Sequence, residues 1–252
     1  MKNPSRVNTY KRFYELDLLR GAAIILMVVI HALHTLNFFG SYNYTLGTGY
    51  LLYLSRTGAS IFIILAGISL TLSSARAKAR AFKKNLKRGA VIFSWGLLIT
   101  LITRLTLGEE GFVIFGILHF IGLSIILAYP FLKFAILNLL LGITIIMLSF
   151  PMSELTMQAP WFLWLGLRPA GFYSIDFFPL FPWFGIFLIG IFLGNTFYPE
   201  ARRKFSLPEF SENTPLKFLV FIGKNSLMIY LLHQPILILI LFLLGFIIFP
   251  LP

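Results

Sequence analysis

Apolar residues run along this chain in long blocks separated by short polar stretches. Seven blocks reach or approach the ~20 residues that carry a helix across a bilayer. They cover about 16–38, 50–73, 89–107, 112–130, 133–150, 177–197 and 226–249. The pattern predicts an all-α, polytopic membrane protein of about seven transmembrane helices, one domain over 1–252. The fourth and fifth blocks are parted only by YPFLKF, where Pro130 and Lys133 mark a tight turn. Between the fifth and sixth, Pro151, Pro160 and Pro169 surround WFLWLGL. That apolar piece is too short to span, so 151–176 reads as interfacial or re-entrant. No internal repeat of the kind many transporters carry is visible.

Composition narrows the class. The chain is 58% hydrophobic and 12% charged, too few charges for the surface of a soluble domain. Cysteine is absent, which excludes disulfides and thiolate metal sites. The first block is long and lacks a small-residue cleavage site, so no cleavable signal peptide is expected. A net charge of +12 suggests nucleic acid until the cations are placed. With the N-terminus in the cytoplasm, all of the 21 lysines and arginines except Arg56, Arg104 and Arg168 fall on the inner side. The positive-inside rule then gives a cytoplasmic N-terminus, and an odd span count an external C-terminus. The charge serves topology in the cell membrane, and no nucleic-acid partner is expected.

The first block opens DLLRGAAIILMVVIHALHTL. Ionisable groups inside a span are costly and mark functional sites. With Asp17 at zero and a helix turning 100° per residue, Arg20, His31 and His34 fall at about 300°, 320° and 260°. All four share one stripe, and His31 lies about 16 Å of helix rise beyond Arg20. Asp17 and Arg20 read either as an entrance pair or as a cap and snorkelling pair. The two histidines read either as interhelical hydrogen bonds or as a polar channel. Imidazole takes and returns a proton near neutral pH, which suits general-base work.

Other groups lie at related depths. Arg56 is near the outer end of the second block, His119 in the outer half of the fourth, and Asp176 at the outer mouth of the sixth. These three are candidates to line an outward pocket with His31 and His34. Their plain readings are a cation in need of a partner, a helix-packing residue and a helix-capping acid. His233 precedes Gln234 and the helix-kinking Pro235, and reads equally as structure or site. His31 and His34 at i, i+3 have no acidic ligand near in sequence, so no metal is expected.

The stretches YELDLLRGAAIILMVVIHALH, IFIILAGISLTLSSAR, FGILHFIGLS and DFFPLFPWFGIFLIGIFLG, in that order, resemble the catalytic-domain family of heparan-α-glucosaminide N-acetyltransferase. The resemblance runs from about residue 11 to 245. Arg20 and His31 in an R-x10-H spacing, with IGKNSLMIYLLHQPILI, also resemble the wider acyltransferase-3 group. The resemblance implies transfer of an acyl group, usually acetyl, from cytoplasmic acyl-CoA to a sugar or other acceptor at the opposite face, with His31 the matching histidine. The lysosomal enzyme carries a luminal domain and further spans that these residues lack. The expected acceptor is therefore another amino sugar, or a hydroxyl on an envelope glycan or lipid.

That chemistry needs a base for the acceptor and a donor for the developing oxyanion. His31 and His34 are the catalytic candidates, and Arg56, His34 or Asn37 the oxyanion donors. Acetyl-CoA is a polyanion, so Asp17, Arg20, Arg76, Arg80, Lys84 and Arg88 are expected at its entrance. Arg56, His119 and Asp176 are expected on the acceptor side. A proton-coupled transporter is the competing class, and a homodimer stays open.

Overall fold

The computed structural model describes residues 12–40, 48–109, 112–207 and 214–247. Lys2, Arg6 and Lys11, counted among the inner cations, lie outside these residues, as do both chain ends. Eight α-helices are present among them: α1 (Tyr14–Phe39), α2 (Gly49–Ala77), α3 (Ala81–Leu107), α4 (Ile117–Leu127), α5 (Ala135–Ser153), α6 (Leu180–Phe197), α7 (Thr214–Lys224) and α8 (Ser226–Leu243). The only β pairing among the described residues is two isolated bridges, Phe115 with Phe177 and Thr156 with Arg168. The fold is all-α.

Five helical stretches are long and apolar enough to cross a membrane. One of them, Gly49–Leu107, is 59 residues long. Straight, it would measure about 89 Å, some three times a bilayer's hydrocarbon core. Lys78 breaks it with φ +49°, and the 3-10 turn Lys78–Arg80 separates α2 from α3. The seven-block reading thus survives everywhere except the fourth, where α4 has only 11 residues and rises about 16 Å.

The start of the fourth block, 112–116, is non-helical backbone, and unpaired backbone is not tolerated at membrane depth. Here it is paired. Phe178 N donates to the Phe115 carbonyl at 2.8 Å, Ile114 N to Ser174 Oγ at 3.3 Å and Ser174 Oγ to the Phe112 carbonyl at 2.9 Å. The lead-ins to α4 and α6 are therefore zipped together. The YPFLKF turn is a 3-10 turn, Tyr129–Phe131. Asn138 Nδ2 ties it down by donating to the Phe131 and Phe134 carbonyls, both at 2.7 Å. Segment 151–176 does not span: it holds a 3-10 turn, Pro160–Leu165, with Trp161 exposed.

The chain divides into two compact units. The first comprises residues 1–61 and 208–252, the second 62–207. In the second, glycines let helix backbones touch, the packing that membranes favour. A Cβ on Gly142 would stand 2.8 Å from the Gly185 carbonyl oxygen, joining α5 to α6. One on Gly67 would stand 2.5 Å from the Phe187 carbonyl oxygen, joining α2 to α6, and one on Gly89 2.7 Å from that of Gly122, joining α3 to α4. In the first unit, α7 and α8 pack against α1. A Cβ on Gly21 would overlap the Leu219 carbonyl oxygen, and one on Gly223 that of Asp17. Moving from 17 to 21 on α1 thus matches 223 to 219 on α7, so the two run antiparallel. Helix α7 was not expected from the block pattern. Its 11 residues are too few to span and end one residue before α8.

Candidate active site

α7 meets the polar stripe of α1 at Asp17 and α8 meets it at His31. At its lower end Asp17 is 1% exposed, beneath the contact with Gly223. Phe13 is the N-cap, so Asp17 does not cap the helix. Its carboxylate is instead shared by two guanidiniums. Arg20 Nη1 donates to Oδ1 at 2.6 Å, and Arg12 Nε donates to Oδ2 at 2.7 Å. Arg12 Nη2 reaches Oδ1 at 3.4 Å. A buried carboxylate is retained only when paired and hydrogen-bonded, and its position in the first turn also suits the helix dipole. Arg12 was placed by charge counting alone; its bond to Asp17 crosses the helix start, where periodicity carries no signal.

Higher on the stripe, the imidazole of His31 lies edge-on to that of His233 on α8, with ring centroids 4.8 Å apart and planes at 89°. His34 lies 6.5 Å from His31 by centroids and is exposed. His31 Nδ1 is 2.9 Å from the Met27 carbonyl oxygen. A carbonyl only accepts, so Nδ1 carries the proton and Nε2 keeps its lone pair. His233 repeats the arrangement, with Nδ1 2.6 Å from the Tyr230 carbonyl oxygen. One turn above His31, Thr35 Oγ1 donates to the His31 carbonyl at 2.8 Å and receives Gln234 Nε2 at 2.9 Å. Pro235 lacks the N–H that would bond the Leu231 carbonyl, yet His233 and Gln234 turn to Tyr230 and Thr35. Two acceptors, His233 Nε2 and Gln234 Oε1, are buried with no partner among the described residues, each a cost of ~1–3 kcal/mol if left unmet. Thr35 and Tyr230 were missed by the sequence reading and Gln234 was noted only beside the Pro235 kink, because nothing local marks a pair 199 residues apart.

Arg56 belongs to the same unit and is exposed on α2. Among the described residues no carboxylate pairs with it. His119 and Asp176 belong to the second unit. His119 is buried among Phe93 and Phe115, and Gly116 N donates to its Nδ1 at 3.2 Å. Its proton is therefore on Nε2, 3.4 Å from Thr100 Oγ1. This is the opposite tautomer to His31 and His233, with both nitrogens engaged. Asp176 Oδ2 accepts from Ile117 N at 3.1 Å, so it caps α4 rather than the helix it precedes. Arg76 ends α2, and Arg80, Lys84 and Arg88 lie along the Lys78–Arg80 turn and the first turns of α3. Asn85 Nδ2 donates to Ser74 Oγ there at 2.7 Å. Among the described residues no cluster of three or more His, Cys, Asp or Glu could hold a metal ion.

Five apolar helical stretches of spanning length define a multi-pass α-helical membrane protein. The chain belongs to the family described as heparan-alpha-glucosaminide N-acetyltransferase, catalytic, which matches it over residues 12–235. It is a membrane acetyltransferase. The match takes in both arginines on Asp17, and His31, His34, His119, Asp176, His233 and Gln234. No curated protein sequence and no solved structure matches the chain.

Proposed function

We propose that this acetyltransferase takes its acetyl group from acetyl-CoA on the cytoplasmic side and transfers it to an amine or hydroxyl on the opposite side, with His31 as general base. The observation that carries the reading is the His31 tautomer. Its Nδ1 proton is committed to the Met27 carbonyl, so a basic Nε2 is held in a fixed direction. In the step, the acceptor N–H or O–H attacks the thioester carbon while Nε2 takes its proton. The C–S bond then breaks, and the CoA thiolate leaves with that proton. The charge bias along the sequence supports cytoplasmic entry, since Arg20 and the Arg76, Arg80, Lys84 and Arg88 run fall on the inner side. Those cations suit the phosphates of CoA. Asp17, neutralised by Arg12 and Arg20, organises the start of α1. His34 and Arg56 are assigned to the acceptor side, whereas the bonding of His119 and Asp176 favours a structural role for each.

The test is His31→Ala in detergent-purified protein. Acetyl transfer should fall by a factor of roughly 10² or more, the size of a general-base contribution. Saturable thermal stabilisation by acetyl-CoA should persist, because Arg20 lies about 16 Å of helix rise away. Transfer at near wild-type rate by a folded His31→Ala protein removes His31 from the chemistry. Wild-type protein that acetyl-CoA does not stabilise removes the donor assignment.

A further inference from the structure

Nothing in the transfer step uses the segment between α5 and α6. Helix α5 has 19 residues and rises about 28 Å, close to the ~30 Å of a bilayer's hydrocarbon core. Its last residue, Ser153, therefore reaches the headgroup layer. A cavity of about 250 Å³ opens there, lined by Ser153, Leu155 and Thr156 and by residues 168–172. The bridge between Thr156 and Arg168 and the bond from Met157 N to the Arg168 carbonyl, 3.1 Å, hold the two stretches together. Trp161, Trp164 and Tyr173 are exposed on the same segment, and these residue types settle at membrane–water interfaces.

Two opposite charges stand at this end of α5. Arg168 is exposed and lines the cavity. Glu154 is exposed between two lining residues. The three ion pairs among the described residues lie elsewhere, so neither charge is neutralised by the other or by a third group there. An acid at a helix C-terminus opposes the dipole, and the last turn of α5 holds no basic residue to offset it. Along the same helix runs an apolar track. Ile136, Leu140, Ile143, Met147 and Phe150 are each 47–65% exposed. At 100° per residue they stay within about 40° of one line, and Glu154 falls on that line about five turns beyond Ile136.

A ligand for this place brings an anion to Arg168, a cation to Glu154 and hydrocarbon to the track. A phosphate diester that carries a primary ammonium supplies both charges and is neutral overall. A glycerol headgroup leaves Glu154 unmet, and a quaternary ammonium has no N–H to give it. Guanidinium is well matched to phosphate, and the cavity is smaller than the ~300–1,000 Å³ that take drug-sized ligands, which suits a headgroup. We propose that α5 and 151–176 form a binding site for an ethanolamine phospholipid. Arg168 and Thr156 hold its phosphate, Glu154 accepts from its ammonium, and an acyl chain lies on the α5 track. No bond is made or broken there, and the site asks nothing of His31.

The test adds phosphatidylethanolamine, phosphatidylcholine or phosphatidylglycerol of one acyl composition to the delipidated chain in detergent micelles. Thermal stabilisation and lipid retained per chain, by mass spectrometry, are the readouts. The ethanolamine lipid should stabilise wild type saturably, and the other two should bind at least about fivefold more weakly. Arg168→Gln should weaken binding of the ethanolamine lipid about tenfold or more, the worth of a hydrogen bond to a charged group. Glu154→Gln should bring the ethanolamine lipid down to the choline lipid and leave the choline lipid unchanged. Lys133→Gln, which removes an exposed cation just before α5, should alter neither. If Arg168→Gln fails to fold, Thr156→Val should still weaken binding about fivefold. Glycerophosphoethanolamine, the headgroup without chains, should bind far more weakly than the lipid; equal binding would assign the cavity to a soluble phosphate and overturn the proposal. Wild type that is indifferent to headgroup, or binding that survives both Arg168→Gln and Thr156→Val, overturns it as well.

Discussion

Two histidines with protons on Nδ1 and one with its proton on Nε2 show how little residue type decides by itself. His31 and His233 bond their own helix carbonyls and keep Nε2 as an acceptor. His119 uses both nitrogens inside the protein. The α1 stripe was legible because 100° per residue puts Asp17, Arg20, His31 and His34 on one face. What that face meets was not legible, since His233 and Gln234 come from the far end of the chain. The Asp17 pair gives a test at this scale. Arg20 is 19% exposed and Arg12 57%, so the second bond is screened and worth under about 1 kcal/mol. Asp17→Ala should destabilise by about 3 kcal/mol, because it removes the buried carboxylate that both guanidiniums hold. Arg20→Gln should cost more than Arg12→Gln. Unfolding in detergent micelles gives the order, and equal losses for the two arginines would refute it.

Among the elements, long apolar blocks announced themselves and short helices did not. α1, α2, α3, α5, α6 and α8 lie where the blocks predicted. α4 is shorter than its block because 112–116 pairs as extended chain with the lead-in to α6, a long-range contact that periodicity cannot express. α7 was hidden for a different reason, since 11 residues of mixed character look like the polar approach to the next span. Its seat on α1 depends on two glycines. Gly21→Ile places a branched side chain against the Leu219 backbone, and overpacking of this kind costs typically ~1–3 kcal/mol. The variant should melt lower and expose 214–224 to proteolysis. Ala22→Leu, exposed one position along, should do neither. Matching behaviour of the two variants would show that α7 is not seated by the glycine contact.

At the scale of the whole molecule, helical class and family were both readable from sequence, whereas orientation rests on the distribution of lysine and arginine. The chain's lack of cysteine makes orientation directly measurable. Arg80 and Ala170 are exposed, and α3, α4 and α5 lie between them. A membrane-impermeant maleimide should label Ala170→Cys in intact cells and Arg80→Cys only after the membrane is opened. Labelling of both from one side would mean an even number of crossings between them, with the 11-residue α4 the first suspect.

The division of the chain also sets an order in time. α7 and α8, which pack against α1, are made roughly 190 residues after it. At ~5–20 residues per second, that is on the order of 10–40 s. During that interval Asp17 has its arginines, but neither α7 above it nor α8 beside His31 exists. Until then the growing chain must shelter the polar face of α1 with only the intervening helices made, and that face is closed only when α7 and α8 arrive.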